Sequence, residues 1–347
     1  MKKTFLAVLP PLMGLLLLAA GPELKFDPMP APLTNNAVAS FKGRDQFLFF
    51  SFMGIGPKKT WDAVSNATYI LDAYSGKWGE ARPVPGTAGR LGASAVTARD
   101  HVFLLGGYVL DSKGAETTLP DVNAYEPDNA IWFRGEDIPV PVSASVAGVY
   151  RDRYIYLISG WAKAGPVQNV QMYDAEKNQW QQATTIPGTA VFGHAGGIVD
   201  DTIIYVDGAY RNSSGAFVAS NECWLGKIQH KDPAKIEWSK LPPHPGDARF
   251  RIAAGASEKD NKIYFTGGAA APYTTRGIGF DGQPATPSAT TFAFNLHTGK
   301  WETIPQGVPA LTMDQRGLLV TSQGLVLLGG MDKGGAVIAN VTILNKK

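Results

Sequence analysis

The sequence predicts an all-β fold, a single six-bladed β-propeller, and three observations carry this prediction. The 347 residues include 39 glycines and 24 prolines, spread along the chain as is typical of short strands separated by turns. One unit recurs with a period of roughly 50 to 60 residues. Its last copy lacks a strand, and a matching segment stands at the N-terminus. Because a four-stranded unit cannot bury both faces alone, we expect six copies to stack around a central channel.

The repeated unit has three landmarks in a constant order. Small residues end the second strand, aromatic residues mark the third, and a tryptophan opens the fourth. The first landmark stands at Gly106-Gly107, Ser159-Gly160, Asp207-Gly208, Gly267-Gly268 and Gly329-Gly330, with a degenerate copy at Phe52-Met53-Gly54. The tryptophans are Trp78, Trp132, Trp180, Trp238 and Trp301. Glycine pairs let strand backbones turn tightly and tryptophans fill space between blades, so we interpret these residues as scaffold.

A double glycine followed at a distance by tyrosine and tryptophan resembles the Kelch repeat. The resemblance covers residues 22–345 and implies six blades. Their predicted spans are residues 36–86, 89–139, 142–187, 191–243, 247–305 and 310–345. The motif is specific for a fold and says little about chemistry.

Closure of the ring is predicted from the two chain termini. The sixth repeat stops at Val341-Thr-Ile-Leu344 without a fourth strand or a tryptophan. Residues 22–30 are similar to fourth strands elsewhere in the chain, with Phe26 in the aromatic position. We therefore expect this N-terminal segment to complete the last blade, which would remove an open sheet edge.

Residues 1–20 are predicted to be a secretory signal peptide, leaving one propeller domain over residues 21–347. Lys2 and Lys3 precede an apolar run that ends in small residues, as in such peptides. The chain is then an exported protein, periplasmic or secreted, with no membrane span in its mature form. Removing these two lysines lowers the 32 basic residues to 30, equal to the 30 acidic residues. A neutral chain disfavours nucleic-acid partners, and we expect a monomer.

One end of the propeller is predicted to carry the function. In an antiparallel meander, the start of the first strand and the connection between strands two and three lie at the same end. The connections at this end are the long ones, over residues 54–66, 108–121, 161–169, 209–221 and 269–289. Long loops on a rigid scaffold are where binding usually occurs.

Side chains predicted at this end suit a small carbohydrate. Arginine pairs with carboxylates in a bidentate manner and aromatic faces cover apolar sugar surfaces, so the pattern fits a sugar or an acidic sugar. The predicted ligand-binding residues are Asn36, Arg90, His194, Arg251, Tyr273, Arg276, Trp161 and Tyr210. Two alternatives stay open, namely that these arginines form salt bridges between blades and that His194 has a structural hydrogen-bonding role.

The chain also resembles the family of exported bacterial N-acetylneuraminate epimerases, which are sialic acid mutarotases. This resemblance implies a cofactor-free sugar mutarotase or epimerase that needs only an acid and a base. The family places a glutamate directly after the fourth-blade glycine and an arginine six positions later, where this chain has Ala209 and Gly215. We predict a rearranged catalytic set of Arg211, Glu222, Asp314 and Arg316.

Two further hypotheses remain beside the mutarotase. The same face fits a non-catalytic module that binds a carbohydrate or a protein partner. The repeats also resemble the propeller of galactose oxidase, but its copper needs two tyrosines and two histidines with a tyrosine–cysteine crosslink. By the predicted topology only His194 and His244 fall at the appropriate end, so we disfavour copper and expect no metal or cofactor. We interpret the single Cys223 as a buried apolar residue.

Overall fold

The computed structural model describes residues 25–86, 89–305 and 311–346. The predicted signal peptide and residues 22–24 lie outside these ranges. Within them the chain is built from β-strands, with one short 3-10 turn at Trp61–Ala63. The predicted all-β propeller is therefore confirmed. No helix in the described residues is long and apolar enough to cross a membrane.

Five blades are four-stranded antiparallel sheets. Blade 1 comprises β1 (Ala37–Lys42), β2 (Phe47–Ile55), β3 (Val64–Asp72) and β4 (Lys77–Ala81). Blade 2 comprises β5 (Ser94–Ala98), β6 (His101–Leu105), β9 (Val122–Glu126) and β10 (Ile131–Arg134). Blade 3 comprises β11 (Val146–Tyr150), β12 (Tyr154–Ile158), β15 (Val170–Asp174) and β16 (Gln179–Ala183). Blade 4 comprises β17 (Ala195–Val199), β18 (Thr202–Val206), β21 (Cys223–Ile228) and β22 (Ile236–Leu241). Blade 5 comprises β23 (Ala253–Ser257), β24 (Lys262–Thr266), β25 (Thr291–Asn295) and β26 (Lys300–Ile304).

The sixth blade and three small hairpins complete the architecture. Blade 6 has three strands in the described part of the chain, β27 (Leu319–Val320), β28 (Leu325–Leu328) and β29 (Val341–Leu344). The hairpins extend the connections between strands two and three of blades 2 to 4. They are β7 (Tyr108–Leu110) with β8 (Glu116–Thr118), β13 (Trp161–Ala162) with β14 (Gly165–Pro166), and β19 (Ala209–Arg211) with β20 (Phe217–Ala219). The first strand of each blade contacts the first strand of the next, and β1 contacts β27, so the ring is closed.

The predicted glycine pairs mark the exit from each second strand. Both residues of every pair have positive φ, including Met53 (56°), Ser159 (54°) and Asp207 (62°) at the first position. The second position is glycine in all six blades for a steric reason. A Cβ at Gly107 would lie 2.8 Å from the Leu91 carbonyl oxygen, and the same distance separates a Cβ at Gly160 from the Ser143 carbonyl oxygen.

The repeated tryptophans join neighbouring blades. The indole of Trp132 donates to the carbonyl of Arg82 in the preceding blade at 3.0 Å, and Trp180 donates to Glu136 at 2.9 Å. Trp301 bonds to Pro242 in the same way. The Trp132 ring also lies 4.9 Å from the Tyr125 ring of the third strand. These hydrogen bonds explain the scaffold role predicted for these tryptophans. Trp238 is the exception, because its buried indole nitrogen has no hydrogen-bond partner in the described residues.

The predicted N-terminal strand is not confirmed, because the described residues 25–30 form no strand. They nevertheless take the place of a connection between blades. The Asp27 carbonyl accepts from the Trp78 indole at 2.8 Å, as Arg82 and Glu136 do for later tryptophans. The Met29 amide donates to the Ala339 carbonyl at 2.8 Å. The segment therefore lies between blades 6 and 1. In the other blades this position is occupied by the linker that follows the fourth strand.

Candidate functional site

Six residues at the starts of the inner strands surround the propeller axis. Each has a left-handed backbone with φ between 52° and 68°. They are Asn35, Gly92, Ala144, Gly193, Arg251 and Asp314, and we call them the axial ring. Backbone amides link several of them in sequence, for example Gly193 to the Ala144 carbonyl at 2.8 Å and Arg251 to the Gly193 carbonyl at 2.7 Å. Side chains of Asn35 and Asp314 supply the two remaining links.

Asp314 is the buried acceptor that holds this ring together. Its carboxylate accepts from the Thr34 hydroxyl at 2.9 Å, from the Asn35 amide at 3.1 Å and from the Arg251 guanidinium at 2.7 Å. The side chain has no solvent exposure. Fully satisfied buried charges of this kind rigidify a site.

A cavity of about 740 Å³ opens on one side of the axial ring, at the end that carries the long loops. We call it the mouth cavity. Each of the five long connections contributes to its lining, through Lys59, Glu116, Trp161, Phe217 and Tyr273. Arg251 and Ala144 of the axial ring form part of its floor. A pocket of this size is large enough to hold a small ligand.

Aromatic side chains make one wall of the mouth cavity. The ring of Trp161 lies 4.9 Å from Phe192 and 5.8 Å from Phe217, and Phe217 lies 4.4 Å from Phe280. The guanidinium of Arg211 stands 4.7 Å from the centre of the Phe217 ring. Such a wall can cover the apolar face of a ligand. The Arg211 guanidinium, held against the Phe217 ring, places a positive charge at its edge.

The mouth cavity has an excess of positive charge. Five basic side chains line it, against two acidic ones, Asp111 and Glu116. The basic residues are Lys59, Lys113, Arg211, Arg251 and Arg276. In the described part of the chain, Arg211 and Arg276 form no ion pair. Their guanidinium groups are therefore available to an anionic ligand.

Two lining groups have pKa values shifted toward neutrality. Glu116 is an exposed residue of the cavity lining. Partial desolvation there raises its pKa, although the charges of Arg251 and Arg316 and the Tyr108 hydroxyl oppose the rise. Burial lowers the pKa of Lys59, against the opposing charges of Asp314 and Asp332. The Lys59 ammonium donates to the carbonyls of Arg276 and Gly335. An acid and a base of this kind suit proton transfer near pH 7.

Two buried tyrosines also border this region. Tyr108 and Tyr273 both line the mouth cavity and are almost fully buried. The Tyr108 hydroxyl acts on Glu116 and the Tyr273 hydroxyl on the Asp314 backbone, without the geometry of a full hydrogen bond. Both hydroxyls therefore belong to the polar groups around the floor of the cavity.

The structure brings together part of the predicted site. Trp161, Arg211, Arg251, Tyr273 and Arg276 all line the mouth cavity. Asp314 lies directly beneath it, bound to Arg251. Arg316 and His194 line the central channel on the other side of the axial ring.

Three other predicted residues have structural partners between or within blades. Arg90 is buried and donates to Asn123 at 2.9 Å, while burial lowers its pKa to about 10. Asn36 donates to the Ser51 hydroxyl at 2.8 Å. Glu222 accepts from the Thr189 amide at 2.9 Å and pairs with Lys240 at 3.3 Å. None of the three lines the mouth cavity, and their assignment to ligand binding or catalysis stays a prediction.

Tyr210 also lies outside the mouth cavity lining, whereas its neighbour Arg211 belongs to it. Successive residues of a strand face opposite sides, and β19 presents Arg211. Sequence reasoning missed Lys59, Glu116 and Phe217. Each of the three lies on one of the long connections. Membership of a long connection was therefore the sequence feature that could have identified them.

His244 and Cys223, the candidate copper ligands, are both buried. Among residues 25–86, 89–305 and 311–346, no group of three or more His, Cys, Asp or Glu side chains is placed to hold a metal ion. His244 bonds through Nε2 to the buried Asp207 at 2.8 Å. Cys223 is buried and free, and burial raises its pKa to about 12. A thiol in this state is unreactive.

Comparison with known proteins decides the family. The model of the KLHDC2/KLHL20/DRC7 Kelch-repeats domain matches residues 48–268. The chain belongs to the Kelch-repeat family. This Kelch propeller resembles the solved structure of YjhT with a TM-score of 0.72 and 18% identity, covering 93% of this chain and 97% of that one.

Two curated relatives show the range of proteins to which this Kelch propeller is similar. It is 24% identical over 342 residues to N-acetylneuraminate epimerase 1 of Escherichia coli, covering 85% of this chain and 86% of that protein. It is 29% identical over 204 residues to Kelch-like protein 34 of Homo sapiens, covering 55% of this chain. The match spans only 29% of the length of that human protein.

Proposed function

We propose that this Kelch propeller is an exported, cofactor-free mutarotase or epimerase that binds a small acidic sugar in the mouth cavity. The observation that carries the proposal is a cavity with an aromatic wall, unpaired arginines and one carboxylate of raised pKa. The relationship to N-acetylneuraminate epimerase 1 over most of both chains supports the same reaction class.

Arg211 and Arg276 are the proposed partners of the sugar carboxylate. Both are unpaired in the described residues and both line the cavity, whereas Arg251 is already bound to Asp314. A guanidinium binds a carboxylate through two parallel hydrogen bonds. The wall around Trp161 then covers the apolar side of the sugar ring.

Glu116 and Lys59 are the proposed base and acid. Glu116 takes the proton of the anomeric hydroxyl while Lys59 protonates the ring oxygen, and the bond from the anomeric carbon to the ring oxygen breaks. The open-chain carbonyl compound rotates and closes on its other face, and both protons return. No oxidant, reductant or metal takes part. In this proposal Glu116 replaces the glutamate that the epimerase family places at the position of Ala209.

Proton NMR of N-acetylneuraminate anomers tests this function. The wild-type chain should exchange the anomers faster than buffer alone does. Glu116→Gln should lower this catalysed rate by about 10²-fold or more. The raised pKa of Glu116 predicts that the rate falls on acidification at a higher pH than for an ordinary glutamate. The control is Glu80→Gln, at an exposed position on β4 outside the cavity. A wild-type rate equal to buffer contradicts the function, and an unchanged Glu116→Gln rate contradicts the assignment of the base.

A non-catalytic binding module is the second candidate, and one observation favours it. Trp61 and Phe280 line the mouth cavity yet are 51% and 47% exposed. Exposed apolar groups around a cavity are typical of an interaction surface for a protein or glycan. Sugar binding without any anomer exchange would favour this candidate over the mutarotase.

A further inference from the structure

Three buried polar side chains form a cluster between blades 4 and 5, outside the lining of the mouth cavity. They are Asp207, His244 and Arg249, and we call them the anchor cluster. Asp207 takes the first position of the pair at the exit from β18, where three of the other blades have glycine. The turn itself therefore does not require a carboxylate at this position.

The Asp207 carboxylate joins the other two members of the anchor cluster. Its two oxygens lie 2.9 Å and 2.8 Å from His244 Nε2, and Oδ2 also accepts from the Arg249 backbone amide at 2.9 Å. The His244 ring stacks on the Phe292 ring, with centroids 4.2 Å apart. The Asp207 side chain is not exposed and that of His244 is 3% exposed. A buried network with these hydrogen bonds holds its members in one arrangement.

The Arg249 guanidinium joins the two ends of the long blade 5 connection, residues 269–289. Its Nη1 donates to the Gly267 carbonyl at 2.9 Å and to the Thr290 carbonyl at 3.0 Å. Gly267 stands just before this connection and Thr290 just after it. Burial lowers the pKa of Arg249 to about 10, so the guanidinium is charged at pH 7. Hydrogen bonds from a charged donor are stronger than those between neutral groups.

The blade 5 connection carries one of the two arginines proposed to bind the sugar carboxylate. Tyr273, Arg276 and Phe280 all lie on this connection and line the mouth cavity. Phe280 also packs against Phe217 of the aromatic wall, with ring centroids 4.4 Å apart. The position of the connection therefore decides where the Arg276 guanidinium and part of the wall lie.

The backbone of Arg249 also reaches the neighbouring connection, in blade 4. Its carbonyl accepts from the Gly208 amide at 3.2 Å, and the Gly208 carbonyl accepts from the Ser220 amide at 2.8 Å. Gly208 and Ser220 flank the β19–β20 hairpin, which carries Arg211. Both arginines proposed for the sugar carboxylate thus lie on connections whose bases are tied to Arg249.

We propose that Arg249, held by Asp207 and His244, is a positioning residue that fixes the blade 5 connection so that Arg276 can bind the sugar carboxylate. The proposal rests on the proposed function for the identity of the ligand. Arg249 acts through the base of the connection, since it lies outside the cavity lining. Without its two bonds the connection is freer before binding, and ordering it then opposes binding. The ligand carboxylate stays charged throughout the reaction, so ground state and transition state are weakened alike.

Hydrogen–deuterium exchange of the full chain, measured by mass spectrometry, tests the anchor without any ligand. Amides of the connection donate to its own carbonyls, as Phe280 does to Pro272 at 3.1 Å, so their exchange reports local opening. Arg249→Met keeps the length of the side chain and removes its donors. It should raise exchange over residues 269–289 by about 10-fold or more, because two charged hydrogen bonds are lost.

Arg90→Met is the matched control for this experiment. Arg90 stands two residues before an axial-ring residue, as Arg249 does, and it is also buried. Its guanidinium donates to Asn123 in blade 2, so Arg90→Met should leave exchange over residues 269–289 unchanged. Arg249→Lys covers the case in which Arg249→Met does not fold. It keeps the charge but not the fork of donors, and it should still raise exchange over residues 269–289.

Kinetics of N-acetylneuraminate anomer exchange separate positioning from catalysis. Arg249→Met should raise KM by about 10-fold and change kcat by less than about 2-fold, whereas Glu116→Gln should lower kcat. Unchanged exchange over residues 269–289 in the Arg249 variants, or raised exchange with an unchanged KM, would overturn the proposal. A wild-type chain without activity contradicts the proposed function instead, and deuterium exchange still decides whether Arg249 anchors the connection.

Discussion

At the scale of single residues, buried charge organises the propeller axis. Asp314 has no exposed surface and binds three side chains, two from the segment before β1 and one from blade 5. It therefore ties the first blade to the last two where the ring closes. Removing one member of such a pair leaves the other charge buried and unpaired.

Asp314→Asn is accordingly expected to destabilise the fold by about 3 to 5 kcal/mol, because Arg251 loses its counter-charge. Urea unfolding followed by tryptophan fluorescence measures this change. The matched control is Asp27→Asn, which breaks an exposed pair with Lys77 at 2.8 Å whose side chains are 53% and 70% exposed. The control should lose less than about 1 kcal/mol. Equal losses of unfolding free energy in the two variants would show that Asp314 does not stabilise the closed ring.

At the scale of elements, the exit of each second strand is fixed by backbone shape. Gly107 has φ of 94°, and an added Cβ would lie 2.8 Å from the Leu91 carbonyl and 3.0 Å from Ala93. Gly114, in the β7–β8 turn, also has positive φ, at 82°, but an added Cβ would meet nothing within 4 Å. Comparing alanine variants at the two positions therefore separates the cost of steric crowding from the cost of a left-handed backbone.

Gly107→Ala and Gly114→Ala should both lower the free energy of unfolding by about 1 to 2 kcal/mol, because alanine is strained in a left-handed backbone. Gly107→Ala should lose roughly 1 to 3 kcal/mol more from overpacking. Thermal and urea unfolding of the two variants measure the difference. Similar losses for both would mean that the strand exit has room for a side chain.

The fold was predictable from the sequence because its landmarks are local and repeat. A glycine with positive φ stands at the exit from the second strand in all six copies. A tryptophan opens the fourth strand in five of them, as at Trp132, which bonds to the preceding blade. The fourth strand of the last blade is the exception. Its expected segment begins before residue 25, outside the described residues, so that strand stays a prediction.

The site was less predictable, because long-range contacts decide which side chains reach it. Arg90 and Arg251 both stand near the start of a first strand, yet Arg90 is taken by Asn123 and Asp121 at the third strand. On β19 a single step along the strand separates Tyr210 from Arg211, which lines the cavity. No pattern in the sequence distinguishes these cases. The long loops predict the end at which the mouth cavity opens, whereas strand pairing and side-chain direction decide which residues line it.

At the scale of the whole molecule, the axial ring divides the interior into two compartments. The mouth cavity is lined mainly by the long loops, whereas the channel is lined by the inner strands. Arg251 borders both, and Asp314 fixes it in place. Loop sequence can therefore change the ligand without changing the scaffold.

A crystal structure of the chain with bound N-acetylneuraminate would show whether the sugar binds in the mouth cavity. We expect sugar density there, with the carboxylate on Arg211 or Arg276 and the anomeric hydroxyl beside Glu116. Sugar density at the short-turn end of the propeller, or inside the channel with an empty mouth cavity, would contradict this prediction.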